Sequence, residues 1–355
     1  MLKTLSASLR ERRQGGDLTS FPDGVIRLDL SICSNTLGPP PSAVRAVHNL
    51  VTARPESLVP PPYAAERTYA QHYAAYLGVK PKHLICGRGV TEFLFRLSKL
   101  LYFEKVALVV PEYTETMNRF HYAAFYAPQP GQQDTAEDRL ERIRQAMQRH
   151  QFVVISNPSN PLGLSATRQQ LVAVAGQNPG STLIVDEEYV HLGPPGVSVV
   201  GAPGNIVVLQ STGKTFGLTG TRAGVLWTRN SQLREAVARE IPSWPLSLLD
   251  VAATTAALRD TEWIENTVLR VRRNAQRLER LLAAYFGAAV VPSQIHYRFV
   301  YLDSPEPVAA HLEEHGIAVR SFDGDIRGRA SGIRVMTPQT DEDFVLLEQA
   351  LHSLP

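Results

Sequence analysis

The chain is poor in cysteine, with two in 355 residues, Cys33 and Cys86. Two thiols supply neither a disulfide framework nor a metal cluster, and each reads as a small buried apolar residue. An excess of one charge sign is also missing. Lys and Arg number 36 against 34 Asp and Glu, a net charge of +2. The electrostatics therefore point to neither nucleic acid nor an anionic membrane. No apolar run approaches the ~18 residues of a membrane helix. Met1 to Gly16 carries Lys3, Arg10, Glu11, Arg12 and Arg13 but no apolar segment, which argues against a secretory leader. Repeats and low-complexity tracts are absent, so a solenoid is not supported. A cytoplasmic protein without nucleic-acid, membrane or metal partners is expected.

What is there is ordinary for a globular protein: 44% hydrophobic and 20% charged residues, in a length that can bury a large core in two domains. Apolar runs at 84–86, 106–110, 152–155, 182–185, 205–209 and 223–227 read as strands, with helical stretches between several of them. That alternation predicts an α/β domain with a largely parallel sheet and helices on both faces. Helices are expected at about 42–51, 66–77, 93–102, 135–150, 166–175, 231–240, 246–259, 262–284 and 342–351, and a short polar one before residue 24. Strands near 25–31, 297–302, 317–320 and 333–336 predict a smaller α+β domain. The expected division is 1–42 (arm and part of the small domain), 43–240 (large domain) and 241–355 (small domain). Residues 54–63, with four prolines, are expected to lack regular structure.

The organising stretch is Ser211-Thr-Gly-Lys-Thr-Phe-Gly-Leu-Thr-Gly-Thr-Arg-Ala-Gly224. One lysine, Lys214, stands among small residues, with Ser211 before it and Arg222 after it. A lysine used as a covalent amine must be tethered and partly desolvated, and a serine and an arginine nearby can hold a dianion. Those are the needs of a lysine that carries pyridoxal phosphate as a Schiff base. Gly87-Arg88-Gly89-Val90-Thr91-Glu92 follows a strand and opens a helix, which makes a phosphate cradle of backbone N–H groups. Pro111-Glu112-Tyr113 ends a strand, where Tyr113 serves either packing or stacking on a planar ring. Asn160 follows another strand, at the end of the sheet where α/β proteins bind ligands. Asp186 closes the strand 182–185, and a carboxylate there needs a cation. Asn35, by local chemistry alone, is a turn residue.

Together these stretches resemble the fold-type I pyridoxal-phosphate enzymes, the class I/II aminotransferases. Within them the chain is similar to the subgroup of histidinol-phosphate aminotransferase and threonine-phosphate decarboxylase. The resemblance spans residues 31 to 334 and rests on Asn35-Thr36-Leu37-Gly38, Gly87-x-Gly-x-Thr-Glu92, Asn160-Pro161-x-Gly163, Asp186-Glu187-x-Tyr189, the Lys214 segment and Ile333-Arg334-Val335. It implies a seven-stranded, mostly parallel sheet in the large domain and a homodimer with shared active sites. It also implies an amino acid and a 2-oxo acid as substrates. Lys214 would form the Schiff base and move the proton at Cα, and Asp186 would protonate the ring nitrogen. Asn160 and Tyr189 would bond the ring hydroxyl, and Tyr113 would stack on the ring. Val90, Thr91, Ser211 and Arg222 would hold the phosphate. Arg334 would clamp the substrate carboxylate, and Asn35 would line the substrate side. Tyr63 would replace a tyrosine that family members carry near residue 58 and that reaches the neighbouring subunit's cofactor, or else that contact is lost.

Three positions depart from the family pattern: Leu58 or Val59 in place of that tyrosine, Thr36 where proline is common, and Leu162 where threonine is usual. The expected activity is transamination of an L-amino acid. The alternative on the same fold is a decarboxylase, cyclase, eliminase or oxidase of specialised metabolism; a non-catalytic regulator is the third reading. Glu188, Asp323 and Asp325 read as surface charges, or else as partners for a cationic substrate. Arg27, Arg327 and Arg329 are candidates for a phosphorylated one.

Overall fold

A computed structural model describes residues 15–129, 131–324 and 328–354. The expected N-terminal helix, Asp325 and Arg327 lie outside the described residues. In chain order the elements are β1 (Leu28–Asp29), α1 (Pro41–Ala53), α2 (Tyr63–Leu77), β2 (Leu84–Gly87), α3 (Gly89–Leu100), β3 (Val106–Val109), α4 (Thr114–Arg119), β4 (Ala124–Tyr126), α5 (Ala136–Arg149), β5 (Phe152–Ser156), α6 (Arg168–Gln177), β6 (Thr182–Asp186), β7 (Ile206–Ser211) and β8 (Gly224–Thr228). They continue as α7 (Ser231–Glu240), α8 (Leu248–Arg259), α9 (Thr261–Phe286), β9 (Tyr297–Tyr301), α10 (Pro305–Glu314), β10 (Ile317–Ala318), β11 (Arg320–Phe322), β12 (Gly332–Met336) and α11 (Asp341–His352). Among the described residues, no helix is long and apolar enough to cross a membrane.

The chain forms two compact units. The larger comprises Ser34–Arg272 with Ser293–Ile295. Its seven-stranded sheet has the order β2-β8-β7-β6-β5-β3-β4. β4, β3, β5, β6 and β7 pair in parallel, and β8 alone runs against its neighbours β7 and β2. The strands are apolar on both faces, as a sheet covered twice requires. Val153, Ile155, Leu183, Val185, Ile206 and Val208 face one core with Leu140, Ile143 and Met147 of α5 and Leu171 and Val174 of α6. The residues between them, Val154, Ile184, Val207 and Leu209, face the opposite core with Phe93, Leu94 and Leu97 of α3 and Val237 of α7. A third core joins α1, α2, α8 and the start of α9 through Ala43, Tyr69, Tyr73, Phe216, Val251 and Ala257.

This unit extends beyond the expected 43–240 at both ends. The reason is packing: α8 lies against α1 and α2, and Asn35 bonds to the chain at residues 214 and 215. Residues 54–63 also differ from expectation, for Pro55–Leu58 forms a 3-10 turn. A proline at the first position of such a turn gives up an N–H that has no acceptor there.

The other unit comprises the described residues of Met1–Cys33, Arg273–Pro292 and His296–Pro355. It holds the antiparallel sheet β11-β12-β9 and the parallel pair β1-β10. Its last helix, α11, opens on a capping box of Thr340 and Asp343.

One glycine fixes the approach of three strands in the larger unit. Gly224 pairs with Gly87 on one side and Ser211 on the other. A Cβ there would stand 2.7 Å from the carbonyl oxygen of Gln210 and 2.7 Å from the Cα of Gly89. Both are backbone atoms and cannot rotate aside. Gly224→Ala is expected to destabilise the protein by about 1–3 kcal/mol, as overpacking does. Urea unfolding checks this, and an unchanged midpoint would mean the strands part without strain.

Candidate active site

Four neighbouring parallel strands end at the same edge of the sheet. β3 leads into Pro111-Glu112-Tyr113, β5 into the Asn160 loop, β6 ends in Asp186 and β7 in Ser211. Ser156 and Asp186 lie opposite one another in the register, as do Asp186 and Leu209. The carboxyl ends of parallel strands are where such sheets place ligands. Here they gather Tyr113, Asn160, Asp186, Tyr189, Ser211 and Lys214 within one unit. Asn160, Asp186 and Tyr189 are buried, and Lys214 is half-buried.

The loop that carries Lys214 is clamped from behind by Asn35. The Asn35 backbone N–H donates to the Lys214 carbonyl at 2.9 Å, and its Nδ2 donates to the Thr215 carbonyl at 3.0 Å. Its Oδ1 accepts from Leu37 N–H at 3.1 Å. Gly217, at φ +63°, would carry a Cβ 2.7 Å from the Asn35 carbonyl oxygen, so only glycine lets the two segments meet. Asn35, expected on the substrate side, thus holds the backbone of the lysine loop.

The groups expected to bind phosphate lie around the Gly87–Gly224–Ser211 row. Gly89 starts α3 at φ +77°, and a Cβ on it would lie 3.3 Å from an Arg222 guanidinium nitrogen. Glu92 takes the Arg88 N–H at 2.8 Å. The first-turn amides of α3, Val90 and Thr91 among them, have no acceptor within the helix. Arg222 is exposed and spends one N–H on the Thr219 carbonyl. Its backbone N–H donates to Asp250, which also caps α8. The Tyr113 hydroxyl bonds to the Thr91 side chain, and burial pushes that phenol up.

The carboxylates at the strand ends are the strongest electrostatic feature. Burial pushes Asp186 well up, and the neighbouring Glu188 charge adds to it, while the Glu188 N–H bond to Asp186 at 2.9 Å pulls the other way. Glu188, read from sequence as a surface charge, is half-buried and accepts from Ser211 Oγ at 2.7 Å. Burial raises it too, against the pull of Ser211, Lys214 and Arg222. Glu187 is fully buried and takes Ser198 Oγ, Val199 N–H and Gln210 Nε2. Burial still lifts it to about 7. Gln210 Oε1 in turn lies 3.3 Å from His191 Nε2 and 3.4 Å from the Tyr73 hydroxyl, and burial lowers His191 to about 4.

A second layer was not foreseen from sequence. Arg139 of α5 is buried, with 4% of its surface exposed, and its guanidinium reaches Glu112 at 2.5 Å and the Val109 carbonyl at 3.0 Å. Glu112 accepts from Ser156 N–H and Ser156 Oγ, both at 2.6 Å, and Ser156 Oγ accepts from Asn160 N–H at 3.0 Å. One ion pair thus holds the two loops that carry Tyr113 and Asn160. By its many charges the helix reads from sequence as a solvated face. The signal was present nonetheless, because Arg139 falls one turn before Ile143 and so on the apolar stripe of α5.

Tyr63 opens α2, is 61% exposed and meets Trp244 edge-on at 5.5 Å. Arg334 belongs to β12 of the other unit, buried there with its guanidinium donating to the Ser31 carbonyl and facing the rings of Tyr297 and Phe322. In that unit Arg27 donates to the His315 carbonyl, Arg329 is half-buried, and Asp323 is exposed.

Comparison with known proteins adds the lineage. The family described as aminotransferase class I and II matches residues 25–345. The chain is 26% identical over 329 residues to histidinol-phosphate aminotransferase of Acinetobacter baumannii strain SDF, covering 91% of this chain and 90% of that protein. Among solved structures, histidinol-phosphate aminotransferase from Sinorhizobium meliloti in complex with pyridoxal-5'-phosphate aligns with TM-score 0.77 and 22% identity, over 97% of this chain and 99% of that one. L-threonine-O-3-phosphate decarboxylase from Porphyromonas gingivalis aligns with TM-score 0.75 and 18% identity, over 91% and 98%. The fold is that of the fold-type I pyridoxal-phosphate enzymes.

Two expected outcomes follow from the buried groups. Arg139→Met leaves the buried Glu112 carboxyl without its cation, which costs about 3–5 kcal/mol. The double variant with Glu112→Gln should recover a large part of that in a denaturation cycle; a fully additive cycle would deny the pairing.

Glu187 and His191 carry opposite pH dependence. Glu187 is raised from its ordinary 4.5 to about 7, so its contribution is present below 4.5 and lost as pH rises to 7. His191 is lowered from 6.5 to about 4, so its contribution is lost as pH falls across that window. At about 1.36 kcal/mol per unit, each amounts to about 3 kcal/mol, and they offset. Glu187→Gln should expose the His191 limb as stability rising by about 3 kcal/mol from pH 4 to 6.5. A flat profile in that variant would contradict a neutral, half-buried His191.

Proposed function

The chain belongs to the class I and II aminotransferases, and from that premise we propose that it moves the amine of an L-amino acid to a 2-oxo acid through Lys214. The cofactor is pyridoxal phosphate. The observation that carries the reading is Asp186: a carboxylate buried at a strand end, beside the carboxylates Glu188, Glu112 and Glu187. Such a group is costly unless a cation or a proton joins it, and a protonated ring nitrogen is that partner. The rest of the donor set fits the same molecule. Ser211 and Arg222 suit a phosphate, as do the first-turn amides of α3, and Gly89 leaves open the space that a Cβ would narrow.

When bound, the cofactor supplies a ring that accepts the electron pair released at the substrate Cα. The Asp186 carboxylate would hold the proton on the ring nitrogen. Lys214 would carry the proton from Cα, its loop kept in place by Asn35. Asn160 and Tyr189 would bond the ring hydroxyl oxygen, and the Tyr113 ring would pack on the cofactor. Ser211, Arg222 and the Val90 and Thr91 amides would hold the phosphate. Arg334 is assigned the substrate α-carboxylate, where a bidentate pair fixes which Cα bond reacts.

A homodimer is proposed as well. Leu58, Val59, Tyr63 and Trp244 are large apolar residues left exposed, and a second copy would cover them. The chemistry stays in the cytoplasm in this reading. A decarboxylase is the second reading, supported by the structural likeness to L-threonine-O-3-phosphate decarboxylase.

Single-turnover spectroscopy with a panel of L-amino acids and no acceptor separates the two. Conversion of one equivalent of cofactor to pyridoxamine phosphate, reversed by a 2-oxo acid, is the result expected. Release of carbon dioxide with the cofactor returned unchanged favours the decarboxylase. Lys214→Ala should lose the visible absorption of the bound cofactor and at least about 10³-fold of turnover. Turnover at the wild-type rate would overturn the assignment.

A further inference from the structure

Glu188 stands where the expected phosphate groups meet. Ser211 has a single hydroxyl proton, and it is given to Glu188 Oε1 at 2.7 Å. The Ser211 oxygen is also in use, accepting from Gly213 N–H at 3.1 Å. Glu188 Oε2 is buried with no hydrogen-bond partner. Lys214 and Arg222 act on the same carboxylate by charge. Facing it from other elements are Tyr69 and Tyr73 of α2 and Tyr113 beyond β3, with Asp186 on its own strand end. Among these charged groups only Lys214 and Arg222 are cations, so the carboxylate charge and an incoming phosphate have the same claim on the same residues.

We propose that the Glu188 carboxylate holds the phosphate-binding groups before the cofactor arrives, and that Glu188 takes up one proton from solvent when the phosphate replaces it. This rests on the assignment of Ser211, Lys214 and Arg222 given above. The physical reason is the competition for one proton and two cations. A phosphate of charge near −2 cannot receive the Ser211 hydrogen bond while Glu188 keeps it. Two anions sharing Arg222 and Lys214 repel one another, and protonating the weaker acid relieves this. Protonation at Oε2 ends the repulsion, frees Ser211 to donate to the phosphate, and gives Glu188 a donor of its own. By linkage, affinity for the phosphate then falls as pH rises above the Glu188 titration, by at most about tenfold per pH unit.

The test uses the full chain freed of cofactor. The probe is pyridoxine 5'-phosphate, which lacks the aldehyde and so binds without bonding to Lys214. Titration calorimetry from pH 6 to 9, in two buffers of different ionisation enthalpy, gives both affinity and the number of protons exchanged. Wild type should show a dissociation constant rising with pH, and proton uptake beyond that of Glu188→Gln. That variant should bind at least about tenfold more tightly at the top of the range, on a flatter profile. Unphosphorylated pyridoxine should bind both proteins alike. Equal affinities, pH profiles and proton counts in the two proteins would overturn the proposal and leave the cofactor assignment standing. Failure of both to bind pyridoxine 5'-phosphate would overturn both. Should Glu188→Gln not fold, Glu188→Ala takes its place, and absence of proton uptake by wild type is itself decisive against the proposal.

Discussion

Four carboxylates, Glu112, Asp186, Glu187 and Glu188, are drawn from water at one end of a single sheet, and this constraint organises the larger unit. Each is handled differently. Glu112 has Arg139 and the Ser156 donors. Glu187 has three neutral donors and rises to about 7. Glu188 has Ser211 and two nearby cations. Asp186 has one backbone N–H and the least compensation of the four. Carboxylates this close cannot all ionise cheaply, and Asp186, the one left short of a partner, is the one we propose that the cation of the cofactor ring completes.

The same economy of space runs through the glycines. Gly87, Gly224 and Ser211 pair across three strands, and Gly89 leaves room beside Arg222, which is the space we propose for the phosphate. On the other side of the lysine, Gly217 lets the Asn35 segment close on the loop. Lys214 therefore follows a buried strand, on a loop braced by Asn35 through a backbone bond at its own carbonyl and a side-chain bond at that of Thr215.

Much of this was legible in the sequence. Apart from β4, the strands of the sheet from β2 to β8 announce themselves as apolar runs because both faces are covered, and Lys214 stands out because its neighbours are small. What escaped has physical causes. β4 is three residues at a sheet edge, too short for a period. α10 opens with two prolines in three residues and was given no expected element, although the first turn of a helix tolerates proline. Arg139 was read by its charge rather than by its place on the stripe of α5, and Glu188 by the rarity of buried glutamate. The limit of the larger unit lies at Arg272, within α9, so no loop or composition change marks it.

Groups that hold the cofactor do not by themselves select the reaction. An aminotransferase and a decarboxylase align with this chain at TM-scores of 0.77 and 0.75, so the fold accommodates both. Selection depends on which Cα bond stands perpendicular to the ring, a matter of fractions of an ångström at the substrate carboxylate and side chain. In sequence the chain departs from the pattern it otherwise follows at Thr36, at Leu162 and in the 58–63 segment. Asn35, beside the first of these, spends both ends of its amide on the protein itself. A full set of proposed cofactor groups beside departures at those positions fits the proposal of a changed substrate, because the ring and phosphate are common to every reaction of the fold while the amino acid is not.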